Sequence, residues 1–174
     1  MREYFTSYSA KVLNMDLNIS LFIERSENEL DLAGVIYLVT SDEKLQKETF
    51  HLKKVQTFYS GVIAHSYYSI FYAAKAYLLM KGIKTRPPSE HKETYIKFKE
   101  LVAKGLVKKD LLKYYQEEYE KAETLLKIFK TEKQKRGHFT YQKIAQANKE
   151  PAHHSMKNAG LFFKNIYHLC EQST

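Results

Sequence analysis

Tryptophan is absent from the chain, and cysteine occurs once, as Cys170. A single cysteine cannot close a disulfide within the chain or build a cysteine zinc cluster, and such sparing use fits a reducing compartment. With only 6 glycines there is no Gly-rich phosphate loop, no dinucleotide-binding fingerprint and no nucleophile elbow, so nucleoside triphosphate hydrolysis has no support. The 3 prolines are Pro87, Pro88 and Pro151, and neither a repeat nor a low-complexity linker divides the sequence, which predicts one domain. No uncharged apolar run reaches the length a bilayer requires, so no membrane partner is expected. The opening segment MREYFTSYSA carries both Arg2 and Glu3 and lacks an apolar stretch before a small-residue cleavage site. It predicts no secretory signal and hence a cytoplasmic protein.

What the chain does have is enough apolar material for one real core, with 44% hydrophobic and 28% charged residues over 174 positions. Its 14 Tyr and 10 Phe supply large rings, most of them destined for burial and a minority suited to stacking on bases. The net charge of +8 is unevenly spread. Residues 1–50 hold five Lys/Arg against nine Asp/Glu, whereas residues 51–174 hold twenty-three against eleven. A basic surplus of this kind suits a polyanionic partner such as nucleic acid, or a negatively charged protein surface; a solvated lysine-rich face is the simpler alternative.

Apolar residues recur at three- and four-residue spacings almost throughout, and strand-like alternation is scarce, which predicts an all-α, up-and-down bundle of four to five long helices with a short extra one. The first helix is expected from about Ile19 to Val39. Thr40 followed by Glu43 reads as a capping box that starts a second helical segment carrying Leu45, Leu52 and Val55. The clearest stripe, Ile63, Tyr67, Ile70, Phe71, Ala74 and Leu78, marks a central helix from about Gln56 to Met80. Gly82 and the run Thr85-Arg86-Pro87-Pro88 end it, and Ser89 reads as the cap of a short helix from about Glu90 to Ala103 that stops at Gly105. A long helix from about Lys109 to Lys133 is expected to turn Leu111, Tyr115, Tyr119, Ala122, Leu126 and Phe129 inward, leaving Glu117, Glu118, Glu120, Lys121 and Glu123 as a charged outer face. The last helix starts near Pro151 and presents Met156, Ala159, Phe163, Ile166 and Leu169.

Three of these stretches resemble the HEPN family, named for nucleotide binding in higher eukaryotes and prokaryotes. Ala64-His65-Ser66-Tyr67-Tyr68-Ser69-Ile70-Phe71-Tyr72-Ala73-Ala74-Lys75-Ala76 is similar to the family's Tyr-Tyr-Ala-x-Phe-x-Ala-Ala-x-Ala pattern. Ser89-Glu90-His91-Lys92, leading to Phe98 and Gly105, resembles its Ser/Lys-His segment. Arg136-Gly137-His138-Phe139-Thr140-Tyr141 resembles the Arg-x3-Asp-Tyr form of its arginine motif. The resemblance covers about residues 20–171, with an insertion around residues 41–55. It implies a bundle that forms a homodimer, with the two arginine motifs meeting in a cleft. Many relatives are metal-independent ribonucleases or toxins partnered with a small nucleotidyltransferase, and others bind nucleotides or RNA without cutting. Nuclease members place a His four to six residues after the arginine, where this chain has Thr140, Tyr141 and Gln142.

Arg136, beside Lys133 and Lys135, offers a planar fork of donors suited to a phosphate or to transition-state charge, with a solvated basic turn as the alternative. His138 is a candidate general base and Tyr141 a phosphate donor or base-stacking ring, each with an exposed or packing role as its alternative. These three are the candidate catalytic residues. Candidate nucleic-acid or nucleotide contacts are Lys133, Lys135, Arg136, Tyr141, His65 and Tyr72. His65 shares a helical stripe with Tyr68 and Tyr72 that can line a cleft, and a core or interface position is its alternative. No cofactor is expected, and no metal either, because His153, His154 and His168 have no carboxylate or cysteine partners at ligand spacing. The combined expectation is an RNA- or nucleotide-binding homodimer, with a metal-independent endoribonuclease toxin of a nucleotidyltransferase pair as the alternative.

Overall fold

Asp16 opens the first helix, its carboxylate accepting a hydrogen bond from the Asn18 amide at 2.8 Å. The computed structural model describes residues 16–134 and 148–172, and of residues 128–134 it describes the backbone alone. Among these residues every regular element is helical, in the order α1 (Leu17–Ser41), α2 (Tyr59–Met80), α3 (Glu90–Ala103), α4 (Lys109–Gln134) and α5 (Lys149–Glu171). The architecture is therefore an all-α bundle, four long helices with α3 as the short one. Among the described residues no helix is long and apolar enough to cross a membrane.

Helix α2 lies at the centre and touches all four others. Its apolar residues run most of the way round, so Val62, Ile63, Ile70, Ala73, Ala74 and Leu78 are all buried. Helix α1 packs closely along it, where two small residues meet: the Ser26 hydroxyl donates to the Ser69 carbonyl at 2.7 Å. Helix α5 buries Met156, Ala159, Phe163 and Ile166 against the same core, as the spacing predicts. Glycine is required at two turns. Gly82 and Gly105 both adopt a φ of +73°, and in each case the amide of the next residue reaches back into the helix, Ile83 to the Leu78 carbonyl and Leu106 to the Leu101 carbonyl. These paired bonds close the ends of α2 and α3 in the same way.

Two expectations change. The segment after α1 is not a capped helix but one π-helical turn, Leu45–Thr49, followed by irregular chain. The Thr40 hydroxyl accepts from the Phe58 amide at 2.7 Å instead of capping, and Asp42 takes the Leu45 amide at 2.9 Å. Buried Gln46 then ties the segment down, donating to the carbonyls of Val39 and Gln56 and accepting from the Gln56 amide. That last bond takes Gln56 out of α2, which begins at Tyr59.

On α4 the expected Leu111, Tyr115 and Ala122 are buried, but Glu118 and Leu125 take the inner places expected of Tyr119 and Leu126, and the Phe129 side chain lies outside the described residues. Leu111, Tyr115, Glu118, Ala122 and Leu125 form the buried row, at alternating spacings of four and three, and Leu126 is 65% exposed. Glu118 therefore belongs to the interior rather than to a solvated face: its side chain is 0% exposed and accepts from Lys121 at 2.7 Å and Asn158 at 3.0 Å. A carboxylate can occupy an apolar row because these donors offset its desolvation.

Candidate functional site

Where α2, α3 and α4 diverge, their aromatic residues line an open cleft of about 410 Å³. Gly61, Ala64, Tyr67 and Tyr68 form the α2 wall, His91 enters from the first turn of α3, and Tyr119, Glu123, Leu125 and Leu126 come from α4. The small side chains at positions 61 and 64 keep the α2 wall low, while positions 67 and 68 raise two rings beside them.

The floor of the cleft is a stacked set. Phe71 and His91 lie in parallel at 4.0 Å between centroids, and the Tyr67 hydroxyl is 2.8 Å from His91 Nδ1. Burial lowers the pKa of His91, partly offset by Glu90, and Lys75 lowers it further. Burial also pushes the Tyr67 phenol far above its ordinary value. Tyr67 and His91 Nδ1 share one hydrogen bond, whose donor is set by the imidazole tautomer. The ion pair of Lys75 with Glu90 joins α2 to the start of α3 and so sets where His91 enters.

The rim is more exposed. Tyr68 is 37% exposed, with its ring edge-on to His91 at 5.8 Å. Tyr119 stacks on Tyr95 at 4.9 Å, and Glu123 follows it one turn further along α4 on the same cleft wall. The arrangement thus offers aromatic surface, one carboxylate and a neutral imidazole in a space of ligand size.

His65 and Tyr72 do not line this cleft; they occupy the adjacent stripe of α2, facing α1. His65 Nδ1 is 2.6 Å from Glu29, and Tyr72 stacks on Phe22 at 6.3 Å with the Arg25 guanidinium over its ring at 4.7 Å. Tyr68 connects the two groups, lying against Tyr72 at 6.4 Å. Lys135, Arg136, His138 and Tyr141 lie outside the described residues, and Lys133 is in the last turn of α4 with its side chain outside them. No protein-family model, curated protein or solved structure matches the chain. The arginine-bearing segment therefore rests on the sequence, and the cleft on geometry.

Sequence reasoning did not assign Tyr119 and Glu123 to a site, because it reads Tyr119 as part of the apolar stripe of α4 and Glu123 as part of its solvated face. The signal for them was present in their four-residue spacing, which places ring and carboxylate on one face. His91 appears in the Ser89–Lys92 segment, but nothing local indicates that it meets Tyr67.

A second polar cluster joins α4 to α5. The expectation that His154 and His168 lack carboxylate partners is corrected: His168 Nδ1 is 3.3 Å from Glu171, and ligand atoms of Glu117, Glu118 and His154 all lie within 4.8 Å of one another. The Asn158 Nδ2 stands among them, 3.0 Å from both glutamates and 3.4 Å from His154 Nδ1, and Lys121 adds a positive charge. The cluster meets one Glu118 oxygen with protein donors, leaves the other without a partner among the described residues, and reads as a helix-pairing device.

Proposed function

We propose that this chain is an RNA- or nucleotide-binding module of the HEPN type, acting in the cytoplasm as a homodimer. The observation that carries the reading is the aromatic cleft between α2, α3 and α4. Exposed tyrosine beside histidine and a carboxylate is what unstacked bases use: rings for their faces and polar groups for their edges. The strongly basic chain beyond residue 50 supports it, since phosphates need positive charge that is independent of base identity. Arg136, with Lys133, Lys135 and Tyr141, is the proposed phosphate contact, following α4 directly in the sequence.

A second reading is a metal-independent endoribonuclease toxin working with a small nucleotidyltransferase partner. One observation favours it: the imidazole of His91 lines the cleft, and imidazole is the usual group for taking a proton from a ribose hydroxyl. In this reading Arg136 stabilises the transition-state charge, with His138 or Tyr141 assisting.

One experiment separates them. Purified wild type and Arg136→Ala are incubated with labelled single-stranded RNA in EDTA, and cleavage and retention are read on the same gel. Intact RNA retained by the wild type and weakly by the variant is the expected result. Cleavage lost in the variant makes the protein a ribonuclease, and neither signal rules out both readings.

A further inference from the structure

We propose that the cleft selects guanine, with the Glu123 carboxylate as the group that reads the base. The inference rests on the nucleotide-binding reading above and adds to it a base identity. Of the four RNA bases only guanine presents two adjacent N–H donors, N1–H and N2–H, on its pairing edge. Adenine and cytosine place an acceptor nitrogen beside their amino group, and uracil flanks its single N–H with carbonyls. An ionised carboxylate accepts only, so it pairs with guanine through two parallel bonds and meets an acceptor on each of the others.

The cleft places such a carboxylate against rings. Glu123 lines it together with Tyr68, Tyr119 and His91. Tyr119 precedes Glu123 by one turn on the same face of α4 and lines the same cleft, which makes it the positioning residue of this proposal. A carboxylate has about four lone-pair sites, enough for the two bonds that guanine needs beside any to its neighbours. Tyr68, 37% exposed on the opposite wall, supplies the face on which the purine stacks. The other polar groups of the floor, Tyr67 and His91, are turned toward each other at 2.8 Å and therefore contribute shape more than readout.

The test uses the full chain and fluorescein-labelled uridine heptamers whose central residue is guanosine, inosine, adenosine, cytidine or uridine, with anisotropy read at fixed salt in EDTA. Inosine keeps N1–H and loses the amino group. The expected order is guanosine tightest, inosine weaker by roughly tenfold and the others weaker still, since a lost bond to a charged group is worth about that factor. Glu123→Gln removes the preference and leaves a similar weak affinity for all five. Arg136→Ala lowers all five together. Tyr119→Phe reduces the ratio of guanosine to inosine binding without equalising the set. Equal affinity of the wild type for the five heptamers overturns guanine selection and leaves the binding module standing, as does a guanosine preference that survives in Glu123→Gln. Absence of binding to any heptamer by protein of native circular dichroism overturns the module and the inference together.

Discussion

Phe71 and His91 lie ring on ring, 4.0 Å apart and 10° from parallel. The stack is built for a neutral imidazole, and burial enforces this by lowering the His91 pKa. In the unfolded chain the ring protonates near its ordinary value of about 6.5, while the folded chain takes that proton only at lower pH. The unfolded state thus binds more protons across this interval, and His91 contributes stability that is complete above about 6.5 and is lost as pH falls through the folded pKa. Urea midpoints of the wild type should therefore fall faster than those of His91→Phe between about pH 7.5 and pH 5. Parallel profiles for the two proteins would show that His91 titrates alike folded and unfolded.

Tyr68 packs on the rim rather than in the core. Its replacement by Ala should weaken single-stranded RNA binding by about 1–3 kcal/mol, the worth of one base–aromatic stack, while shifting stability by less than about 1 kcal/mol. Ala64→Phe, which fills the cleft from the α2 wall, should do the same without touching a polar group. Anisotropy titrations beside thermal melts read both quantities, and RNA affinity unchanged in both variants would place the binding surface elsewhere.

Glu118 is fully buried and tied to Lys121 and Asn158, and its second oxygen has no hydrogen-bond partner among the described residues. Removing one member of such a set strands the rest. Glu118→Ala should cost about 3 kcal/mol, and Lys121→Met less, because Lys121 is partly exposed and Asn158 still serves the carboxylate. Replacing Glu118, Lys121 and Asn158 together by apolar residues of similar volume should recover most of the loss. Chemical denaturation of the four proteins decides it, and additive losses in the triple variant would refute the account.

Gln46 holds the segment between α1 and α2 through three side-chain bonds to the backbone at Val39 and Gln56. Gln46→Leu keeps the volume and abandons those groups, so it should cost about 2–3 kcal/mol. Because the α1–α2 contact is anchored elsewhere, hydrogen exchange should quicken around residues 45–58 and stay slow near Ser26 and Ser69. Uniformly faster exchange along both helices would contradict this local role.

Burial pushes the Cys170 thiol up to about 12, so little thiolate exists at neutral pH. Alkylation in native buffer should be slow and should become fast in urea, tracking global unfolding. Immediate stoichiometric labelling of the native protein is the outcome inconsistent with it.

Helix existence and order are legible from periodicity, because α2, α3 and α5 carry their apolar residues where the 3.6-residue repeat puts them. Helix ends are less so. Asp16 caps α1 from outside its apolar stripe, and Thr40 looks like a cap but bonds to Phe58, eighteen residues away. On α4 a charged residue occupies an inner position, and a pattern search that excludes charge then slides to the neighbouring row and turns Leu126 inward. The cleft is hidden for a related reason. Tyr67, His91 and Glu123 come from three helices, and no local spacing encodes a meeting that only the packing of α2 against α3 and α4 produces.

The α4–α5 cluster also constrains how this sequence can change over time. Glu118, Lys121, Ser155 and Asn158 depend on one another for the hydrogen bonds they make, so a lineage drifting one substitution at a time must cross a less stable intermediate to reach an equally stable apolar version. Neighbouring solutions of equal merit are then separated by a valley. Chains that keep any one of the four should tend to keep the others, which makes this quartet a place to look for correlated change even though it lies outside the cleft.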